Sequence, residues 1–232
     1  QSGIPISEIF HHLGEHADDL CVIRSMHTNV PNHEPSLMML NCGDSILPRP
    51  SMGSWINYGL GSVNDNLPGF IAMCPGGVPI KGGANWRSSF LPGIYQGTHI
   101  DTKHKDLEKL IENVRNRHQT DASQRSQMDL LGEFNRLHLR ERPGDAELQS
   151  RIHNYELAYR MQMEASDAFD LSREPESVRE AYGKSVQGRQ LLLARRLVER
   201  GVRFVQLYHG AGQPWDDHDE IEKGHRRLAE ES

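Results

Sequence analysis

A helix, a glycine and an apolar strand that opens into a polar loop constrain the fold of this chain most strongly. Residues 190–200 carry an apolar stripe opposite a charged face, which predicts an amphipathic helix. Gly201 follows, where a helix end favours a residue that tolerates positive φ. Residues 202–208 form an apolar run that predicts a buried strand, and residues 209–219 are polar. This order is typical of an α/β fold.

The polar loop after this strand holds candidate metal ligands. In open α/β sheets, ligands bind beyond the carboxyl ends of the strands. Carboxylate oxygen and imidazole nitrogen together suit a divalent cation, and Asp216 and His218 project to the same side of an extended loop. Alternatively, Asp217 caps a helix with Glu220 as its reciprocal partner. His209 and Asp217 are possible additional site residues, although a hydrogen-bonded histidine at the rim of the core is the alternative for His209.

A second stretch repeats this pattern near the start of the chain. Residues 20–26 form a compact apolar run that predicts a buried strand, followed by a loop with His27, His33 and Glu34. A helix is predicted from Pro35 onward. A histidine in a strand-to-helix loop could bind an oxyanion, transfer a proton or bind a metal, and the alternative is a hydrogen bond to the backbone.

These two stretches lead to one spatial hypothesis. If strands 20–26 and 202–208 are neighbours in one parallel sheet, His33, Asp216 and His218 face a common cleft. His33 is then the candidate catalytic residue, and Asp216 and His218 are the candidate metal ligands. His27 and Glu34 are possible additional residues, and no residue is assigned to an organic cofactor.

The rest of the chain predicts one α/β domain over residues 1–232, interrupted by a helical insertion over residues 103–183. Residues 67–74, with 70–74 as their core, predict a third strand. The Gly- and Pro-rich residues 75–99 predict long irregular loops, which are more often functional or mobile than idle, and a plain surface connection is the alternative. Apolar periodicity and turn signals predict helices over residues 7–16, 51–60, 123–140, 146–169, 175–182 and 220–232.

Composition limits the partners of the chain. The formal net charge of -6 does not favour nucleic-acid binding. No apolar run reaches the roughly 18–20 residues of a membrane helix, so we expect no transmembrane segment. The chain lacks an initiator Met and stops within a helix-like run, so we expect an internal fragment of a longer protein.

Several motifs resemble those of the DUF1501 family, a large family of bacterial proteins that is abundant in planctomycetes. They include DLCVIRSMHT at residues 19–28, NHEP at 32–35, LLARRLVERGVRFVQ at 192–206 and WDDH at 215–218. The family is similar to the alkaline phosphatase and sulfatase superfamily. That similarity implies a three-layer α/β/α sandwich and metal-dependent hydrolysis of sulfate or phosphate esters, in small molecules or polysaccharides.

The resemblance also implies site residues and a location. The Trp-Asp-x-His motif of the family falls on Trp215, Asp216 and His218, and its Asn-His-Asp/Glu motif includes His33 and Glu34. The implied cofactor is a divalent cation: zinc, calcium or manganese. Family members usually carry an export signal, which implies a periplasmic or exported protein. The family's upstream glycine-rich strand end and downstream Gly-Glu-Phe-Gly-Arg segment are not in this sequence, which implies an incomplete ligand set and an inactive fragment.

Two alternatives to a hydrolase remain open. A non-catalytic family member, or a surface protein that binds a partner through the helical hairpin of residues 123–169, predicts an exposed apolar patch on the hairpin and no convergence of the His and Asp residues. A sugar-binding module would use Trp55, Trp86 and Trp215.

Overall fold

A small parallel sheet organises the part of the chain that the structure, a computed structural model, describes: residues 3–110 and 120–231. These residues contain three strands, β1 (Phe70–Met73), β2 (Thr98–Ile100) and β3 (Phe204–Leu207). They also contain helices α1 (His11–Glu15), α2 (His33–Cys42), α3 (Met52–Leu60), α4 (Leu107–Leu110), α5 (Asp121–Glu141), α6 (Ala146–Phe169), α7 (Glu176–Ala181), α8 (Val186–Glu199) and α9 (Ile221–Glu230).

Strand β1 is the centre of the sheet, whose order is β2-β1-β3. Both of its neighbours run parallel to it, with Ile71 opposite Thr98 in β2 and Val205 in β3. The carboxyl ends of all three strands therefore lie at one edge of the sheet. The chain leaves that edge at residues 74, 101 and 208, so the loops that follow the strands can form a common site.

The two faces of the sheet pack against different elements because side chains alternate along β1. Ile71 and Met73 are fully buried in the larger core, which includes Leu193 and Leu197 of α8. Phe70 and Ala72 face the other way and pack with Trp86. The mixed α/β class is thus confirmed, as a mostly helical chain around a three-stranded sheet.

The predicted helix, glycine and strand unit is confirmed. Helix α8 begins at Val186, four residues earlier than predicted, because the Ser185 hydroxyl accepts a hydrogen bond from the Gly188 amide at 2.8 Å and caps the helix. Gly201 has a φ of 86°, in the left-handed region that favours glycine. Strand β3 follows within the predicted residues 202–208.

The predicted strand over residues 20–26 is wrong. The segment is irregular, contains a turn and pairs with no strand in the described residues. Val22 and Ile23 are 46% and 65% exposed. A strand needs a neighbour that accepts its backbone hydrogen bonds, and the apolar run alone does not supply one. The neighbour of β3 is instead β1.

Other predictions hold in type but not always in length. The helix predicted over residues 146–169 matches α6, and the one over 51–60 matches α3 closely, whereas α1 is half as long as the 7–16 prediction. Strand β2 begins at Thr98, within residues 75–99 that were predicted to be irregular, and ends at Ile100. Helices α4 to α7 lie within the predicted insertion, of which residues 111–119 are outside the described part of the chain. None of the described helices has the length and apolar character to cross a membrane.

A buried ion pair joins the insertion to α8. The Arg196 and Glu174 side chains are 4% and 10% exposed and are hydrogen-bonded to each other. Arg195 adds a second bond to Glu174, at 2.6 Å. The hydrogen bond from Arg196, followed by the charge of Arg195, lowers the pKa of Glu174 below its usual 4.5, although burial acts in the opposite direction.

The first prediction concerns this ion pair. A lowered pKa in the folded state stabilises the fold above the unfolded-state pKa, near 4.5, and the contribution is lost as pH falls through the lower folded-state pKa. Glu174→Gln should therefore lower the urea midpoint at about pH 7 and lose less stability than the wild type between about pH 7 and about pH 3. Glu176→Gln, an exposed change in α7, is the control. Equal acid sensitivity of Glu174→Gln and wild type would contradict the assignment.

Candidate functional site

Three predicted side chains meet at the carboxyl edge of the sheet. His33 Nε2 lies 3.1 Å from Asp216 Oδ2, and His218 Nε2 lies 3.2 Å from Asp216 Oδ1. The Asp216 carboxylate is thus placed between two imidazoles that come from different parts of the chain. The His33 side chain is 60% exposed and that of Asp216 is 30% exposed, so solvent and small molecules reach the group.

His33 is placed by helix α2, of which it is the first residue. A partly buried polar network joins the other end of that helix to the sheet. Asn41 Nδ2 donates to Tyr208 Oη at 3.2 Å and to Asn85 Oδ1 at 2.9 Å. Gln206 Nε2 donates to Asn41 Oδ1 at 3.1 Å. Because Gln206 belongs to β3 and Tyr208 follows it, the helix that carries His33 is fixed to the strand that leads to Asp216.

The loop after β3 is held from two sides. On one side, Gly212 forms a bridge with Pro79, and its amide donates to the Val78 carbonyl at 3.2 Å. This bridge joins the loops that follow β1 and β3. A cleft of about 370 Å³ lies between these loops and α2, and His33, Tyr208, His209 and Asp216 are among its lining residues.

Helix α9 supports the loop on the other side through two histidines. His209 Nε2 donates to the Leu228 carbonyl at 3.1 Å, and His225 Nε2 donates to the Trp215 carbonyl at 2.9 Å. Both imidazole rings lie 5.3 Å from the Trp215 ring. Trp215, which precedes Asp216, therefore packs against the His209 and His225 rings, and this packing restricts the position of the Asp216 carboxylate.

Of the possible additional site residues, the structure places Glu34 and His209 near the site and His27 away from it. Glu34 lies near the site and forms an ion pair with Lys81 at 2.9 Å. His27 is exposed and contacts the Ser25 carbonyl, so the structure does not bring it to Asp216. His209 is the hydrogen-bonded rim histidine of the alternative interpretation.

Asp217 does not take part in the described contacts of Asp216 with His33 and His218, and it does not cap a helix. The N-cap of α9 is Glu220, which makes no side-chain capping bond, so the capping alternative is wrong. The Oδ2 atom of Asp217 is buried without a hydrogen-bond partner in the described residues. It lies 4.0 Å from His225 Nε2, beyond hydrogen-bond distance.

The side chains of this site supply only some of the ligands that a cation needs. Among residues 3–110 and 120–231, no group of three or more His, Cys, Asp and Glu side chains has the arrangement of a metal site. The 3.2 Å between Asp216 Oδ1 and His218 Nε2 does suit two ligands of one ion, since ligand bonds of about 2 Å place neighbouring donors about 3 Å apart. Asp216 and His218 thus offer two coordination positions, and water or substrate oxygens would have to fill the others.

Sequence reasoning missed two contributors to the site. Lys81 has a left-handed φ of 67° within the Gly- and Pro-rich stretch, and only the predicted functional character of that stretch pointed to it. His225 lies on a helix beside Arg226 and Arg227, a pattern that indicates a solvated face.

Burial, as the largest effect, raises the pKa of the Tyr208 phenol, which therefore stays protonated beneath the cleft.

Comparison with family models decides the affiliation of the chain. The model described as protein of unknown function DUF1501 matches residues 1–232. The chain belongs to the DUF1501 family. No curated protein and no solved structure matches this DUF1501 chain.

A second prediction tests how α9 positions the site of the DUF1501 protein. An alanine Cβ at Gly224 would lie 1.9 Å from Asp217 Oδ2 and 2.6 Å from its Cγ. Gly224→Ala must therefore displace the Asp217 carboxylate, which belongs to the residue between Asp216 and His218. We expect it to weaken the cation binding that is proposed below for Asp216 and His218 about 10-fold, as loss of support around metal ligands does, while the fold is retained.

The matched control is Gly132→Ala in α5, where an added Cβ meets no atom within 4 Å. We expect it to leave cation affinity unchanged and to stabilise the fold by about 0.5–1 kcal/mol. Calorimetric titration and thermal unfolding measure both effects. Unchanged cation affinity in Gly224→Ala would show that Asp217 does not position the site.

Proposed function

We propose that this DUF1501 protein is a metal-dependent hydrolase of phosphate or sulfate esters, related to the alkaline phosphatase and sulfatase superfamily. The observation that supports it is the 3.1 Å approach of His33 to Asp216, between residues that are far apart in sequence. A three-layer α/β/α sandwich, small-molecule or polysaccharide esters as substrates, and a periplasmic or exported location belong to the same proposal.

Asp216 and His218 would hold the cation, with zinc, calcium and manganese as the candidates. When bound, such an ion polarises an ester oxygen and lowers the pKa of a nucleophile. Asp216 also orients the His33 imidazole from 3.1 Å. The exposed imidazole can then give a proton to the leaving oxygen of an ester in the cleft.

The start of α2 favours an anionic substrate beside His33. Asn32, the N-cap, makes no side-chain capping bond, so the amides of His33 and Glu34 are available to an anion, whereas Pro35 has no N–H. Glu34 lies in the first turn of α2, and Lys81 neutralises its charge through an ion pair. The ion pair reduces the repulsion that the Glu34 carboxylate would exert on an ester anion.

The test is turnover of 4-nitrophenyl phosphate and 4-nitrophenyl sulfate by the full-length gene product, with each of the three cations and then with excess chelator. We expect one ester to be hydrolysed in a cation-dependent way, with loss of turnover in chelator and recovery on adding the ion back. Turnover that is insensitive to the chelator would contradict metal dependence. No turnover of either ester would contradict the hydrolase assignment.

The alternative, a non-catalytic protein that binds a partner through the hairpin of α5 and α6, has one observation in its favour. Leu130, Phe134 and Leu137 of α5 are 57%, 59% and 54% exposed, and they follow each other at helical spacing. Its second expectation, that the His and Asp residues do not converge, disagrees with the contacts of Asp216. The sugar-binding alternative loses Trp86, which is buried beside the sheet.

A further inference from the structure

A second cavity opens at the same edge of the sheet, beyond the end of β2. It has a volume of about 590 Å³ and lies between the segment that follows β2, the turn after α6 and the first turns of α8. It is separate from the cleft of His33, and the two sets of lining residues do not overlap. The buried side chain of Gln190 lines this cavity and donates to the Tyr208 carbonyl at 2.9 Å.

Two cationic side chains that line this cavity, Arg189 and Lys105, have no carboxylate partner among the described residues. The half-buried Arg189 guanidinium donates to the carbonyls of Thr102, Lys103 and His104, and among the described residues it has no carboxylate partner. Lys105 likewise forms no ion pair within the described part of the chain. The carboxylate of Asp170 also lines the cavity, and it is paired with Arg173. Burial lowers the pKa of Arg189, because desolvation disfavours its charge.

One wall of the cavity is apolar. Leu110, Phe169 and Leu193 are buried residues of the larger core that line it, and Leu107 and Leu171 complete this wall. The volume is within the range of about 300–1,000 Å³ that small-molecule sites occupy. A cavity with an apolar wall and the partly desolvated Arg189 cation suits a ligand with an apolar body and one anionic end. The anionic end of the ligand compensates the charge of Arg189.

We propose that this cavity is a binding site for an amphipathic organic anion: a single carboxylate, sulfate or phosphate group on an aryl or alkyl body. Arg189 and Lys105 contact the anionic group, and Phe169 and Leu193 contact the apolar body. The site is independent of the proposed hydrolase activity, because none of these residues contacts His33, Asp216 or His218.

The probe is 8-anilinonaphthalene-1-sulfonate, an aromatic body with one sulfonate, whose fluorescence rises in apolar surroundings. Its neutral counterpart is N-phenyl-1-naphthylamine. Lys105→Glu reverses an exposed charge at the cavity, and Lys103→Glu makes the same change two residues away at a residue outside the lining. Arg189→Gln removes the half-buried charge and is interpreted only if circular dichroism shows that it folds.

We expect the sulfonate probe to bind Lys105→Glu about 10-fold more weakly than wild type, as the loss and reversal of a charge contact requires. Lys103→Glu should bind it within about 2-fold of wild type, and folded Arg189→Gln at least about 10-fold more weakly. The neutral probe should bind all variants alike. Equal affinity of the sulfonate probe for wild type and Lys105→Glu would overturn the proposal, as would a neutral probe that responds equally.

Discussion

His33→Ala is expected to lower kcat/KM for ester hydrolysis at least about 100-fold, the lower end of what a positioned acid or base contributes. The imidazole is oriented by Asp216 at 3.1 Å and lies at the first residue of α2, where an ester anion is favoured. No second imidazole lies in that position among the described residues, because His218 contacts the other oxygen of Asp216. Steady-state kinetics with the better of the two nitrophenyl esters measures the effect.

His27→Ala is the matched control, since His27 lies in the loop that leads to His33 and its side-chain hydrogen bond in the described residues is to the Ser25 carbonyl. It should keep kcat/KM within about 2-fold of wild type. Equal losses in the two variants would indicate that the loop tolerates no change, and a His33→Ala enzyme with full activity would remove His33 from the mechanism.

Gly188→Ala is expected to cost about 3 kcal/mol of stability, the upper end of ordinary overpacking. Gly188 is buried in the first turn of α8, and an alanine Cβ would lie 1.7 Å from the Tyr182 carbonyl oxygen. That oxygen belongs to the backbone, so no rotamer change relieves the contact, and the turn between α7 and α8 has to move. Thermal unfolding should show a midpoint about 10 °C lower.

Gly59→Ala in α3 is the control for this change, because an added Cβ there meets no atom within 4 Å. Its higher helix propensity should raise stability slightly, by less than about 1 kcal/mol. A Gly188→Ala protein as stable as the wild type would mean that the packing of α7 against α8 differs from the structure.

Helices with local signals could be predicted from the sequence. Helix α6 follows the turn at Pro143 and Gly144, and its N-cap Asp145 accepts a hydrogen bond from the Leu148 amide at 2.9 Å. Gly43 and Gly201 end α2 and α8 with φ values of 74° and 86°. Capping and left-handed termini depend on a few adjacent residues, so the pattern alone places them.

Strand pairing could not be predicted in the same way. The apolar run at residues 20–26 resembles β3 in composition, yet it forms no strand, whereas Thr98–Ile100 becomes β2 beside β1. Hydrogen bonds between strands join residues that are far apart in sequence, so local composition does not determine which run pairs. Irregular flanking sequence hid β2, which has only three residues.

The site was predicted better than the sheet that was expected to form it. Asp216 does meet His33 and His218, although 20–26 is not the neighbour of β3. The approach depends on α2, which the Asn41 network fixes to β3. Lys81 and His225 were missed because their roles come from tertiary contacts with Glu34 and the Trp215 carbonyl.

The most direct test of the account is cation binding by wild type and by Asp216→Ala. Titration calorimetry with zinc, manganese and calcium, in the presence of inorganic phosphate to supply the missing oxygen ligands, should detect a site that Asp216→Ala weakens at least about 10-fold. Asp219→Ala removes a carboxylate of the same loop whose hydrogen bond, among the described residues, is with the Glu220 amide, and this variant should bind the cation as the wild type does. Equal cation affinity in wild type and Asp216→Ala, or no binding to either, would contradict a metal site at this edge of the sheet.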